Sequence, residues 1–350
     1  MKAGKINCLN MKNIKITLNK LYKAIVQGGK RMIKNIGNTP MIKIKYSYKN
    51  KINYIYTKLE YYNLTGSIKD RVAYYIITKA KERGELKEGM LIIEATSGNT
   101  GIALSALGAY YKHPVHIFMP DWVSEERIKI MEGYNAKVTL ISREQGGFVR
   151  CIEEAKKLAK KTGGFLANQF ANKDNVLAHY ETTGQEIINT LQEEIGGFVS
   201  GVGTGGTLIG IGKKLKKQNR DVLVTAIEPD SMPMISKNKV IGPHKIEGIG
   251  DDFIPEIVDK NIIDKIFLIN DNDAINMSRK ISRELGIGVG ISSGANLIGC
   301  ALLQEYTRKP VATVFADDNK KYLSTELKND IDAKPEFISN QIQLIDYEVV

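Results

Sequence analysis

Cysteine is nearly absent: three in 350 residues, with no C-x-x-C pair, which excludes a disulfide framework and a thiolate metal site. Cys8 stands alone near the start. Cys151 falls on the amphipathic run 148–158 and Cys300 on an apolar helical run, so both read as buried thiols in a reducing, cytoplasmic compartment. Histidine is almost as scarce, with four in all (His113, His116, His179 and His244), and His113-Pro114-Val115-His116 has no nearby cysteine or carboxylate to complete a metal set. They read as structural, and no metal is expected. No stretch approaches 18 apolar residues, so no membrane span is expected. The single tryptophan, Trp122, lies in a loop leading into a helix and reads as a packing residue. Repeats and Gly/Ser linkers are also missing.

Acidic residues are absent from the first 51 positions, which hold 13 Lys/Arg. The net charge of +11 is therefore local, because the 50 basic residues less those 13 leave 37 against 39 acidic ones. A nearly neutral body argues against a nucleic-acid partner, as does a basic segment without aromatic interleaving or a DNA-binding motif. Residues 1–31 read as a basic N-terminal extension. They lack the 7–15-residue apolar run of a signal peptide and the Arg/Ser content of a transit peptide, and Met11 or Met32 is an alternative start.

With 43% hydrophobic residues, the chain can bury a large core in two domains or two lobes. Strand-like runs at 91–95, 115–119, 137–141, 198–202, 223–227 and 311–315 alternate with helical ones. That alternation predicts an α/β fold of mainly parallel sheets with helices on both faces.

Three segments carry candidate chemistry. Ser67 and Asp70 have capping-box spacing, and Val72, Ala73, Ile76, Ile77 and Ala80 recur at helical spacing, which places Lys69 at a helix N-terminus. A positive helix end with Arg71 nearby would lower the pKa of its amine, as a Schiff-base lysine requires. The second segment is the run 91–95, which leads into Thr96-Ser97-Gly98-Asn99-Thr100-Gly101 at the start of another helix, where bare amides and hydroxyls suit a carboxylate. An ordinary βα turn would look the same. In the third, the run 198–200 leads into Gly201-Val202-Gly203-Thr204-Gly205-Gly206-Thr207, a cradle for a phosphate. It also matches G-x-G-x-x-G, with Glu228 at the distance a dinucleotide site needs, so a nicotinamide oxidoreductase is a rival.

These loops, with Asn168-Gln169-Phe170, Gly248-Ile249-Gly250, Gly290 to Gly294 and Tyr322 to Thr325, resemble the cysteine synthase and cystathionine β-synthase family from about Gly37 to about Leu327. The resemblance implies the two-lobed pyridoxal-phosphate fold type II, similar to tryptophan synthase β, with the cofactor in the cleft between lobes and a homodimeric assembly. It implies a larger cofactor-binding lobe of 32–45 plus 170–330, a smaller substrate-binding lobe of 46–169, and a tail of 331–350. It further implies that Lys69 bonds pyridoxal 5'-phosphate and then shuttles the α-proton. Asn99 would contact the cofactor's 3-oxygen, Gly203, Thr204, Gly205, Gly206 and Thr207 its phosphate, and Thr96, Ser97, Thr100 and Gln169 the substrate carboxylate.

Two departures from the family pattern bear on the reaction. Small residues usually follow the G-I-G turn, but here Asp251-Asp252 follow it. Asp252 resembles the cystathionine β-synthase pattern and is the candidate base, whereas Asp251 reads as a solvated turn residue. A base there would let water attack an aminoacrylate formed from L-cysteine, giving L-serine and hydrogen sulfide; a thiol is the other nucleophile. Cysteine synthesis from O-acetylserine and sulfide is the alternative. The second departure is at Asp318, where the family usually places the serine that meets the pyridine nitrogen. A register shift of one would put Asp317 there instead.

Overall fold

The structure, a computed structural model, describes residues 35–328 and 334–350. The basic extension 1–31 and Cys8 lie outside the described residues. The described chain opens with β1 (Met41–Tyr48) and β2 (Lys51–Leu59), an antiparallel hairpin. Its two-residue turn, Lys49 and Asn50, has φ of 51° and 60°, the type I′ geometry that matches strand twist. The smaller lobe follows: α1 (Lys69–Glu82), β3 (Ile92–Ala95), α2 (Asn99–Tyr111), β4 (Val115–Pro120), α3 (Glu125–Gly133), β5 (Lys137–Ile141), α4 (Gly147–Thr162) and β6 (Phe165–Leu166). Next come α5 (Lys173–Ala178), a π-helical turn at His179–Thr183, and α6 (Gly184–Thr190). The larger lobe is completed by β7 (Gly197–Gly201), α7 (Gly206–Gln218), β8 (Leu223–Pro229), β9 (Lys265–Ile269), α8 (Asp271–Leu285), α9 (Ile291–Thr307), β10 (Val311–Phe315) and β11 (Ile342–Val349).

The larger sheet runs β11-β1-β2-β10-β7-β8-β9 and the smaller β5-β4-β3-β6. The smaller sheet is wholly parallel, whereas β1 is antiparallel to both its neighbours. Alternate side chains feed opposite faces. Val199, Ile227 and Phe315 pack with Ile275 and Leu297 of α8 and α9, while Phe198, Val224 and Val314 pack with Leu208 and Ile211 of α7. The smaller sheet buries Ile92 and Ile117 against α1 and α2, and Ile93 and Phe118 against Cys151 and Ala155 of α4.

Two expected boundaries move. A lobe boundary at 46 would cut β1 in half; instead β1 and β2 both belong to the larger sheet, because β2 pairs in parallel with β10. The smaller lobe thus begins after Leu59. The end of the chain is no loose tail either, since β11 pairs with β1 from Ile42↔Val349 to Tyr48↔Ile342.

The helix at Lys69 forms where spacing predicts, with the Ser67 hydroxyl accepting from the Lys69 amide at 3.3 Å. Asp70 accepts from the Thr65 amide at 2.8 Å and the Thr65 hydroxyl at 2.6 Å, which pins the preceding turn, and the Ser67 amide also acts on its carboxylate. Arg71 is buried, with Nε 2.6 Å from Glu60 and Nη1 2.6 Å from Glu186, and Lys58 joins Glu186 at 2.8 Å. Spent on two carboxylates, Arg71 does not act on Lys69. Arg71→Ala would leave both glutamates without their main partner in a dry setting, at a cost of about 3–5 kcal/mol of unfolding free energy. Urea denaturation measures it, and a loss below about 1 kcal/mol would contradict this account.

Candidate active site

One cleft of about 1010 Å³ lies between the lobes, and most of the expected residues line it. Ile68 is hydrogen-bonded to Ala316 at 2.8 Å and Ser67 bridges to Asp317, so the first turn of α1 is sewn to the end of β10. That seam places Lys69 in the cleft. Burial holds its amine below the ordinary lysine value, opposed by the charges of Asp317 and Asp251. The lowering has a different cause from the Arg71 effect expected above.

Thr96, Ser97, Asn99 and Thr100 come from the β3–α2 connection, and Gln169 reaches them from the segment after β6. The Thr100 hydroxyl donates to Gln169 Oε1 at 2.6 Å. On the larger lobe, Gly203, Thr204, Gly205 and Thr207 line the cleft where α7 starts, so amides of a 13-residue helix face it. Gly205 has φ of +88°. Gly206 lies behind the loop, where a Cβ would collide with Asn175 Oδ1. Asn175 also donates to Thr204 Oγ1 at 2.9 Å, and His179 Nε2 lies 3.2 Å from the Thr207 hydroxyl. Burial, with Lys69 and Arg71, keeps that imidazole neutral.

The paired aspartates sort themselves by depth. Of Asp317 and Asp318, Asp317 lines the cleft, accepting from Asn99 Nδ2 at 2.7 Å and Tyr322 Oη at 2.8 Å. Asp318, expected to meet the cofactor ring, is not a cleft residue; it caps the turn Asn319–Tyr322 by accepting from the Lys320 amide at 3.2 Å. The bridge between Ser67 and Asp317 fixes this register. Asp251 and Asp252 both line the cleft, but Asp252 is exposed and Asp251 is the deeper. Burial and the neighbouring Asp252 push the Asp251 carboxyl up to about 7, against the pull of Lys69. The residue expected to be a solvated turn is therefore the one in contact with the lysine's field.

The dinucleotide rival loses its acidic residue. Glu228 accepts from the amides of Ile235 and Ser236, closing a short helical turn, and is 3% exposed. Trp122 is no packing residue: it is 46% exposed at the cleft mouth, with Arg143 4.7 Å over its ring. Arg127 crosses the cleft to Glu247 and stacks on Tyr322 at 4.9 Å. Tyr322 opens one of the family-like motifs, whereas Asn175 and Arg127 carry none, and a sequence offers only their nearness to motifs that do.

Among the buried cleft atoms that lack a partner are Asn99 Oδ1 and Asp317 Oδ1. An unsatisfied polar atom is costly, so both suit a bound polar ring. Together with a depressed amine and a phosphate cradle, they fit pyridoxal phosphate. Residues 32–317 match the family described as "Pyridoxal-phosphate dependent enzyme". The chain belongs to this family. Within it, the protein is 39% identical to a cysteine synthase of Staphylococcus aureus over 297 residues, 83% of this chain and 94% of that one. A hydrogen sulfide-producing enzyme from Fusobacterium nucleatum superposes with a TM-score of 0.88 at 45% identity, covering 93% of this chain and 99% of its own. A cysteine synthase from Entamoeba histolytica superposes with a TM-score of 0.81 at 37% identity, covering 89% and 94%. The protein is thus a pyridoxal-phosphate enzyme of the cysteine synthase family, with fold type II, working on small amino acids in sulfur chemistry. No helix among the described residues is long and apolar enough to cross a membrane, and no group of three or more metal-ligating side chains occurs among them.

Proposed function

We propose that this enzyme converts L-cysteine and water into L-serine and hydrogen sulfide. The observation that carries the reading is Asp251, a half-buried carboxyl pushed up to about 7 in the cleft that also holds Lys69. The bound cofactor supplies an electron sink for the substrate's α-carbon. Lys69 holds the cofactor's aldehyde end and, once free, moves the α-proton, which its depressed pKa allows. The amides and hydroxyls from Gly203 to Thr207 hold the phosphate, with Asn175 and His179 fixing the two threonines. Asn99 and Asp317 would hold the ring, and an aspartate beside its nitrogen would keep that nitrogen protonated. Thr96, Ser97, Thr100 and Gln169 take the substrate carboxylate. Asp251 removes a proton from water as the oxygen bonds to the β-carbon in place of sulfur, and the departing sulfur leaves as hydrogen sulfide.

The similarity to a hydrogen sulfide-producing enzyme over nearly the whole chain supports this direction of reaction. Small residues at 251 and 252 would favour ordinary cysteine synthesis, and they are absent. A homodimer in the cytoplasm belongs to the same proposal.

The test is L-cysteine alone, with sulfide and amino-acid products followed together. Equal sulfide and serine support hydrolysis. Sulfide with lanthionine would make a second cysteine the nucleophile. Inert cysteine, with synthesis from O-acetylserine and sulfide, would overturn the proposal in favour of cysteine synthase.

A further inference from the structure

We propose that Glu94 is a positioning residue that sets the grip on the amino acid's carboxylate, acting through Gln169. The inference rests on the reading of Thr96, Ser97, Thr100 and Gln169 as the carboxylate site. Among the described residues Glu94 has no ion-pair partner, and its oxygens bond to backbone amides, Oε1 accepting from Ala95 at 2.8 Å and Oε2 from Gln169 at 3.0 Å. It is 2% exposed. Those two amides belong to the two segments that meet in the site, so a single carboxylate staples one to the other.

The staple continues outward from Gln169. Its side chain is fixed at both ends, with Oε1 accepting from Thr100 at 2.6 Å and Nε2 donating to the Ala95 carbonyl at 3.2 Å. Its own carbonyl accepts from Asn175 Nδ2 at 2.9 Å, and the same nitrogen donates to Thr204 Oγ1 at 2.9 Å. One chain of hydrogen bonds thus runs from Glu94 through Gln169 and Asn175 to the phosphate loop, joining the two halves of the site. A buried carboxylate without a cation is expensive, and burial indeed pushes Glu94 up to about 7. A carboxylate is nonetheless suited to this place, since its two oxygens satisfy both amides at once. A glutamine would turn its NH₂ toward one of them and leave that amide unsatisfied.

The test compares wild-type, E94Q and E94D holoenzymes in two measurements. One is the KM and kcat for the amino-acid substrate. The other is the affinity for L-serine, read from the fluorescence of Trp122, the sole tryptophan, which lines the cleft. E94Q is expected to raise KM and weaken L-serine binding by about tenfold while kcat stays within about threefold. E94D keeps both acceptor oxygens and should fall between, at about threefold. L-serine binding needs no turnover, so this result stands apart from whether cysteine is cleaved. Binding within twofold of wild type in E94Q, or a fall in kcat with KM and affinity unchanged, overturns the proposal. If E94Q does not fold, E94D decides: a threefold loss supports it, and unchanged affinity sinks it.

Discussion

Lys69→Ala is expected to lower turnover by about 10⁴-fold or more, because one amine serves both as the covalent anchor and as the α-proton's carrier. The protein should still fold, since α1 is held by Val72, Ile76 and Ile77 in the core and by Arg71 with its glutamates. It should also still bind the cofactor, because the phosphate loop is independent of the lysine and is braced by Asn175 and His179. The visible band of the covalently held cofactor should be replaced by that of the free aldehyde. Lys69→Arg should fail equally, as a guanidinium does not shed its proton at working pH. Rate assays and absorption spectra check both variants. Activity within tenfold of wild type in Lys69→Ala would remove the lysine from the mechanism.

The chemistry at Lys69 was legible because several independent signals converge on one helix start and two glycine loops. Much of the larger sheet was not. In the first 51 residues the lysine count conceals a strict period of two, with Ile42, Ile44, Tyr46 and Tyr48 facing inward and Lys43, Lys45 and Ser47 between them. Lysines can flank a strand without breaking it, since their stems lie along apolar neighbours and their heads reach solvent or a carboxylate, as Lys43 reaches Glu193 at 2.8 Å. β11 was hidden for another reason. Its burial pattern is mostly exposed, so its only strong signal is a partner strand some 300 residues away in the chain.

The adjacent aspartates show where a sequence alone stops. Neighbours in a chain differ in the direction they face, and which of Asp317 and Asp318 enters the cleft follows from the bridge between Ser67 and Asp317. Asn99 and Tyr322 then both donate to one oxygen of Asp317 and leave the other for a ligand. Nothing local to Phe315-Ala316-Asp317-Asp318 encodes that choice.

The same problem of neighbours makes Asp251 against Asp252 the decisive pair for the reaction. Asp251→Asn is expected to cut serine formation about 10²–10⁴-fold while sulfide-free steps such as L-serine binding persist. Its pH dependence has a definite sign. A base must be ionised to accept water's proton, and Asp251 ionises only as pH rises through about 7, so serine formation should climb across that window and then level off. Asp252 pushes Asp251 upward by like charge. Asp252→Asn should therefore move the midpoint to lower pH, with turnover at pH 8 within a few-fold of wild type. Rate profiles from pH 5 to 9 for both variants measure this. Collapse of serine formation in Asp252→Asn, with Asp251→Asn fully active, would transfer the base to the outer aspartate. The burial of Asp251 would then tune the charge around Lys69 rather than activate water.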